Sequence, residues 1–244
     1  MVEPKAESSA WPDAGLVAEL APELAAGVQA FTTGRVAGSF GLGSDEAVAA
    51  VIGRWDGLQA ALLTRGIVRL CSASQVHGAD VVPHDGSWRG WLRLRGVDGH
   101  FTTTRGTALA VTVADCTPVF IAHPAGAVAA LHAGWRGTAA GILPVGLRMF
   151  EAAGFPADEC SVHLGPAICG SCYEVGPEVL TAMFGVPAAS KGLLDVRAVL
   201  ANQAAELGVL RLTTSSRCTR CDNAHFFSHR AGDAGRQLGV ITLE

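Results

Sequence analysis

Between Thr107 and Trp135 the chain runs through three apolar, β-prone segments, TALAVTV, PVFIA and AVAALHAGW, and Asp115 is the one fully charged side chain among them. A stretch this apolar must either enter a membrane or be buried by the rest of the chain. Asp115, His123, Pro124, Gly126 and His132 interrupt it, so it cannot be a membrane-spanning helix. It reads instead as three strands in quick succession. The other segments fit around them. VQAFTTG and IVRLCSASQVHG read as strands, the second ending at Gly78. Asp98 to Thr104 is a short strand or turn. Val51, Ile52, Trp55, Leu58 and Leu62 repeat at helical spacing behind Ser44 or Asp45 as cap. Gly137-Thr138 leads into a helix over AAGILPVGLRMFEAAG, with Pro144 as a kink or a first-turn residue. CSVHLGPAIC is expected to be a strand, PEVLTAMFG and LDVRAVLANQAAELG helices, and residues 209–216, HFFSHR and GVITL strands. Strands and helices without strict alternation predict an α+β fold with large mixed sheets. Residues 1–25 read as a flexible lead-in and 26–244 as a single domain.

Composition excludes several functions. With 18 basic and 22 acidic residues the net charge is −4, and no basic run offers a nucleic-acid surface. MVEPKAESSAWPDAG has no basic start followed by an apolar core, so no signal peptide is expected and the chain is read as cytoplasmic. Lys5 and Lys191, the two lysines, lie in the tail and in a polar loop, which argues against Schiff-base chemistry. Codon composition explains the arginine bias more simply than bidentate phosphate recognition does. HExxH, GxSxG, GxGxxG and P-loop patterns are absent. The 7 cysteines, an odd number without an export signal, favour free thiols and a metal site over a disulfide framework.

His77, in Gln75-Val76-His77-Gly78, and His132, in HAGWRG, each sit at a strand end, and Cys116, in ADCTP, sits between two strands. If those strands are neighbours, the three side chains meet at one sheet edge as a His₂Cys shell with an open fourth position, the composition of a catalytic zinc site. Asp115 beside Cys116 is placed to orient a histidine or accept a proton, or merely to cap a turn. Cys218 and Cys221, in CTRC, have ligand spacing, but taken as a lone pair they are expected to be buried, inert thiols.

SQVHGADV, VTVADCTPVFIAHP, AALHAGWRGTAAGIL, HLGPAICGSCYEVG and CTRCDNAHFFSHRAGDAGRQLGVITL, in that order, resemble the laccase-domain family, also called YfiH-like or multicopper polyphenol oxidase-like. The resemblance runs from about residue 28 to the end. It implies a four-layer αββα single domain and a purine nucleoside phosphorylase. Such an enzyme phosphorolyses adenosine, inosine and 5′-methylthioadenosine and also deaminates adenosine. It also implies zinc, with copper as the alternative metal, on His77, Cys116 and His132. The segment FTTGRVAGSFGLGSDEA departs from the family's usual FTTRxGGVS opening, with its arginine displaced to Arg35. His123-Pro124 stands where Asp-Pro is usual, and Ser228-His229-Arg230-Ala231 where SYRR is frequent.

The expected catalytic residues are therefore Cys116, His77, His132 and Asp115, and the substrate-binding residues Arg136, Arg35, Arg230 and Gln75. Arg136 is expected at a helix start, where backbone amides favour an anion such as phosphate. Asp115 and His229 are the candidates for protonating the leaving purine. The expected partners are a nucleoside and phosphate, with neither nucleic acid nor membrane. Copper-dependent phenol oxidation, editing of peptidoglycan precursors and a metal-binding interaction module are the rival readings. Three visible ligands fall short of a multicopper centre.

Overall fold

The computed structural model describes residues 16–244. Its first sheet carries, in spatial order, β1 (Val17–Leu20), β2 (Val28–Thr33), β14 (Gln237–Leu243), β7 (Thr107–Val113), β3 (Arg69–Ser74) and β5 (Gly90–Arg95). Its second carries β13 (Arg211–Thr214), β10 (Ser161–Leu164), β8 (Thr117–His123), β9 (Ala127–Ala133), β6 (Gly99–Thr102) and β4 (Val81–His84). Both sheets mix parallel and antiparallel pairs. A small ribbon pairs β11 (Glu174–Val175) with β12 (Gly192–Leu193). The helices are α1 (Val48–Leu63), α2 (Trp135–Ala139), α3 (Ile142–Ala152), α4 (Pro177–Phe184) and α5 (Val196–Glu206).

Side-chain alternation along the strands builds the layers. Leu109, Val111 and Val113 of β7 face Phe120 and Ala122 of β8 and Val128 and Ala130 of β9, filling the space between the sheets. The alternate residues of β7, Ala108 and Ala110, face Val51, Trp55 and Leu62 of α1. Val119, Ile121, Ala129 and Leu131 pack outward on α3 and α5, against Leu143, Leu147, Phe150 and Leu200. The result is a helix, two sheets and a helix layer, the expected αββα arrangement. It also explains why the central run is so apolar: β8 and β9 are buried along their whole length.

Several local expectations change. Val17–Leu20 pairs with β2, so part of the expected lead-in is a strand, while residues 1–15 lie outside the described residues. Neither Ser44 nor Asp45 caps α1. The helix begins later, after Ala47, and Glu46 instead accepts from the Ser39 amide and pairs with Arg54. The long helix expected after Gly137 is two helices, because Gly141, at φ +80°, breaks the backbone between them and leaves Pro144 in the first turn of α3. β3 stops at Ser74 rather than Gly78, and β10 stops at Leu164 rather than Cys169. HFFSHR is not a strand: Phe226 is fully buried and residues 229–231 form a single 3₁₀ turn capped by Ser228. None of the helices among the described residues is long and apolar enough to cross a membrane.

Candidate active site

β7 and β8, consecutive in sequence, belong to different sheets. The connection carrying Asp115 and Cys116 therefore crosses from one layer to the other. His77 follows β3 of the first sheet and His132 lies in β9 of the second. The three donors thus meet at the seam between the sheets, and the expectation of a single sheet edge is corrected. Their ligand atoms all lie within 4.8 Å of one another, and the His77 and His132 rings sit edge to face, 4.8 Å between centroids.

The backbone is bent to make this meeting. Among the described residues, His77 (φ 63°) and Asp115 (φ 79°) are the non-glycine residues in the left-handed region. Each such residue costs on the order of 1–3 kcal/mol and persists only where surrounding contacts over-determine it. Those contacts are visible. Asp98, fully buried, accepts hydrogen bonds from the amides of Val76 (3.2 Å), His77 (2.9 Å) and Gly78 (2.7 Å). Asp115 accepts from the Thr219 hydroxyl (2.6 Å) and the Arg230 amide (2.7 Å). Gly134 leaves room for the cluster: a Cβ there would stand 2.9 Å from Cys116 Sγ and 3.2 Å from His77 Cδ2.

Asp98 also accepts from His132 Nδ1 at 2.8 Å. Sequence reasoning missed this carboxylate and gave the orienting role to Asp115, whose oxygens are engaged elsewhere. Its signal was slight, an acid opening the short strand that leads to His100. Burial pushes Asp98 up, but His132 and the Gly78 and Val76 amides outweigh it and hold its carboxyl below the usual range. Burial likewise pushes the Cys116 thiol up, yet His132 and His77 beside it bring it down to about 6. His132 answers in the opposite direction: burial lowers it, but the Cys116 thiolate and Asp98 raise it to about 9. In the metal-free protein the cluster is thus a thiolate beside a carboxylate-backed imidazolium, and Asp98 orients the His132 ring through Nδ1.

A pocket of about 540 Å³ opens over the cluster. Arg136 and Arg230 line it, with Arg93, Arg236, Tyr173 and His229, none of the first pair or last four being within the metal donor set. Arg136 stacks on Trp135 (4.3 Å) and has no carboxylate partner among the described residues. It lies in α2, a helix of 5 residues, too short to supply the expected helix-start anion site. Arg230 lies over the Tyr173 ring (5.0 Å) and donates to the Glu174 carbonyl. Gln75 reaches the pocket wall, but its amide bonds Thr112 through both ends and so pins the end of β3 to β7. Arg35 is outside the pocket: it pairs with Asp233 at 2.6 Å, stacks on Phe227 and donates to two main-chain carbonyls, so it straps the terminal loop. Gly41 to Ser44, from the segment that departs from the family pattern, form part of the pocket rim.

Residues 35–244 match the family described as multi-copper polyphenol oxidoreductase laccase. The chain belongs to that family. Among its relatives, purine nucleoside phosphorylase ORF3 of Streptomyces griseus is 38% identical over 179 residues, 70% of this chain and 73% of its own. Adenosine deaminase RL5, from an unknown prokaryotic organism, is 37% identical over 163 residues, covering 60% of this chain and 59% of its own. The crystal structure of YlmD from Geobacillus stearothermophilus superposes with a TM-score of 0.81 at 30% identity, over 90% of this chain and 93% of that one. The laccase-family fold is therefore the αββα sandwich described above.

Proposed function

We propose that this chain is a zinc-dependent purine nucleoside phosphorylase that also deaminates adenosine, with adenosine, inosine and 5′-methylthioadenosine as substrates. The observation that carries the reading is the meeting of His77, Cys116 and His132 at the floor of an arginine-lined pocket. Relatives named for these two activities support the substrate class.

The donor set fits the metal. Asp98 occupies His132 Nδ1, leaving Nε2 as its free nitrogen, and the Cys116 thiol is already biased toward thiolate. Zinc held by His77, Cys116 and His132 would supply a Lewis acid with an open fourth position. The chain's own residues do the rest. Arg136, without a competing carboxylate, holds the phosphate by charge-assisted hydrogen bonds. The Arg230 guanidinium, lying over the Tyr173 ring on the pocket wall, offers a planar cation to the purine. Phosphorolysis breaks the bond from ribose C1′ to purine N9, forms one from C1′ to a phosphate oxygen, and delivers a proton to the departing base. Both oxygens of Asp115 are engaged as acceptors, whereas His229 stands at the pocket edge with its imidazole uncommitted among the described residues. His229 is therefore the proton donor in this reading.

The test is incubation of zinc-loaded protein with adenosine, with and without phosphate, measuring adenine and inosine separately. Adenine released only with phosphate, and inosine without phosphate that is carried on to hypoxanthine when phosphate is added, is the expected pattern. Oxygen uptake with a phenol and no change in the purines would replace the reading with an oxidase.

A further inference from the structure

The molecule holds a second concentration of metal-binding side chains, remote in role from the pocket donors. Cys169 and Cys172 form one CxxC pair, on the loop after β10. Cys218 and Cys221 form another, in the turn after β13, and Cys169 and Cys218 are 49 residues apart in sequence. The lone-pair reading of Cys218 and Cys221 therefore fails. β10 and β13 are parallel neighbours, so both strands leave the sheet in the same direction. A further bridge between Ala167 and Cys218 carries the alignment past the strand ends. The fold thus delivers the two pairs to one place, and the four Sγ atoms all lie within 4.8 Å of one another.

We infer that these four cysteines form a closed, tetrahedral zinc site, distinct from the His77–Cys116–His132 cluster. Four thiolates around zinc at about 2.3 Å stand roughly 3.8 Å apart, which the observed cluster accommodates with small side-chain adjustments. All four are free cysteines, and the sulfurs of Cys172 and Cys221 are 3.4 Å apart, well beyond the ~2.0 Å of a disulfide. Backbone amides of Cys169 (3.2 Å) and Cys221 (3.4 Å) donate to the Cys218 sulfur, an arrangement that favours a thiolate ligand. Each cysteine gives up its thiol proton to solvent on binding. Four soft sulfur donors with no open position define a structural site, not a catalytic one.

The position gives the site a purpose. Tyr173, on the pocket wall, directly follows Cys172. Thr219, between Cys218 and Cys221, donates to Asp115, the neighbour of Cys116. Zinc here fastens together the two loops that shape one side of the pocket, and the inference stands whether or not the nucleoside reading does.

The experiment counts metal in protein produced with zinc and kept reduced. Cys116→Ala, which vacates the pocket site, should retain one zinc per chain, with a sulfur-only shell at about 2.3 Å in X-ray absorption. Adding Cys172→Ser and Cys221→Ser should bring the count to zero. Should that variant not fold, Cys221→His, at an exposed position and added to Cys116→Ala, should keep the zinc and replace one sulfur of the shell by nitrogen. Zinc retained in full without Cys172 and Cys221, an unchanged all-sulfur shell in Cys221→His, iron in place of zinc, or four titratable thiols with no metal in Cys116→Ala would each overturn the inference.

Discussion

Two clusters among the described residues contain two histidines and one cysteine, and both bridge the same pair of sheets. His77, Cys116 and His132 form one. Cys71 of β3, His84 of β4 and His100 of β6 form the other, with His84 Nε2 3.0 Å from His100 Nδ1 and 3.4 Å from the Cys71 sulfur. Their electrostatics are opposite. Burial pushes the Cys71 thiol up to about 12, while Cys116 lies near 6. Burial and the neighbouring His84 bring His100 down to about 3, while His132 rises to about 9. One cluster is an ion pair and the other a neutral, hydrogen-bonded knot in the core. The difference lies in what surrounds the donors. Asp98 bonds His132 directly, whereas no carboxylate bonds a histidine of the buried cluster among the described residues; all three donors of the first cluster line an arginine-rich pocket, while of the second only His84 reaches one. Donor identity alone does not make a reactive centre. The buried carboxylate behind His132 is what sets the first cluster apart.

The comparison breaks most directly by removing one sulfur from each cluster. Cys116→Ala should lose one equivalent of metal and at least about 3 kcal/mol of transition-state stabilisation, roughly a hundredfold or more in turnover. Cys71→Ala should leave metal content and turnover in place and cost about 1 kcal/mol of stability, read from a thermal melt. Equal losses of metal from the two variants would erase the distinction. Asp98→Asn asks whether the carboxylate sets the first cluster apart. Metal affinity, measured by chelator competition, should fall roughly ten- to a hundredfold.

Smaller effects sharpen the contrast in accessibility. Arg136 is exposed, so water screens its charge. Arg136→Ala should raise the KM for phosphate only about three- to tenfold with zinc content unchanged, and Arg136→Lys should recover part of that loss. A lowered melting temperature with unaltered phosphate dependence would reassign Arg136 to structure and move the anion to Arg230. Proton affinity gives a last comparison in metal-free protein. Cys116 is depressed, so its thiolate prevails above pH 6 and is lost as pH falls through that value; His132 is raised, so its imidazolium prevails below pH 9. Alkylation of Cys116, followed by peptide mass, should therefore have a midpoint near pH 6, while Cys71 stays unlabelled in the folded protein. A Cys116 midpoint near the ordinary ~8.5 of a free thiol would remove the ion pair.

Much of this was readable in the chain. The apolar runs of β7, β8 and β9 and the helical repeat of α1 foretold buried strands and a packed helix, while the four-layer order came from the family resemblance. His77, Cys116 and His132 stood out through their residue types and neighbouring glycines. What could not be read depended on contacts between distant segments. Asp98 acquires its role only when the second sheet places it under the 76–78 turn. Arg35 looked like a substrate cation until Asp233, 198 residues away, claimed it. The Cys71 cluster had no local signature, since its members sit on three separate strands. The Cys169–Cys172 pair stood in the sequence but was overlooked when Cys218 and Cys221 were read as a lone pair, and the parallel pairing of β10 and β13 is what joins the two.

The left-handed backbones at His77 and Asp115 bear on how this protein can change over time. Glycine adopts that conformation without a Cβ penalty, so His77→Gly relieves local strain in the metal-free protein while deleting a donor. A selection for heat resistance alone, with no demand for turnover, will therefore tend to erode the very turn that holds the site. On the proposed reading, directed evolution of this scaffold needs a screen for chemistry in every round, because at position 77 durability and metal binding reward different residues.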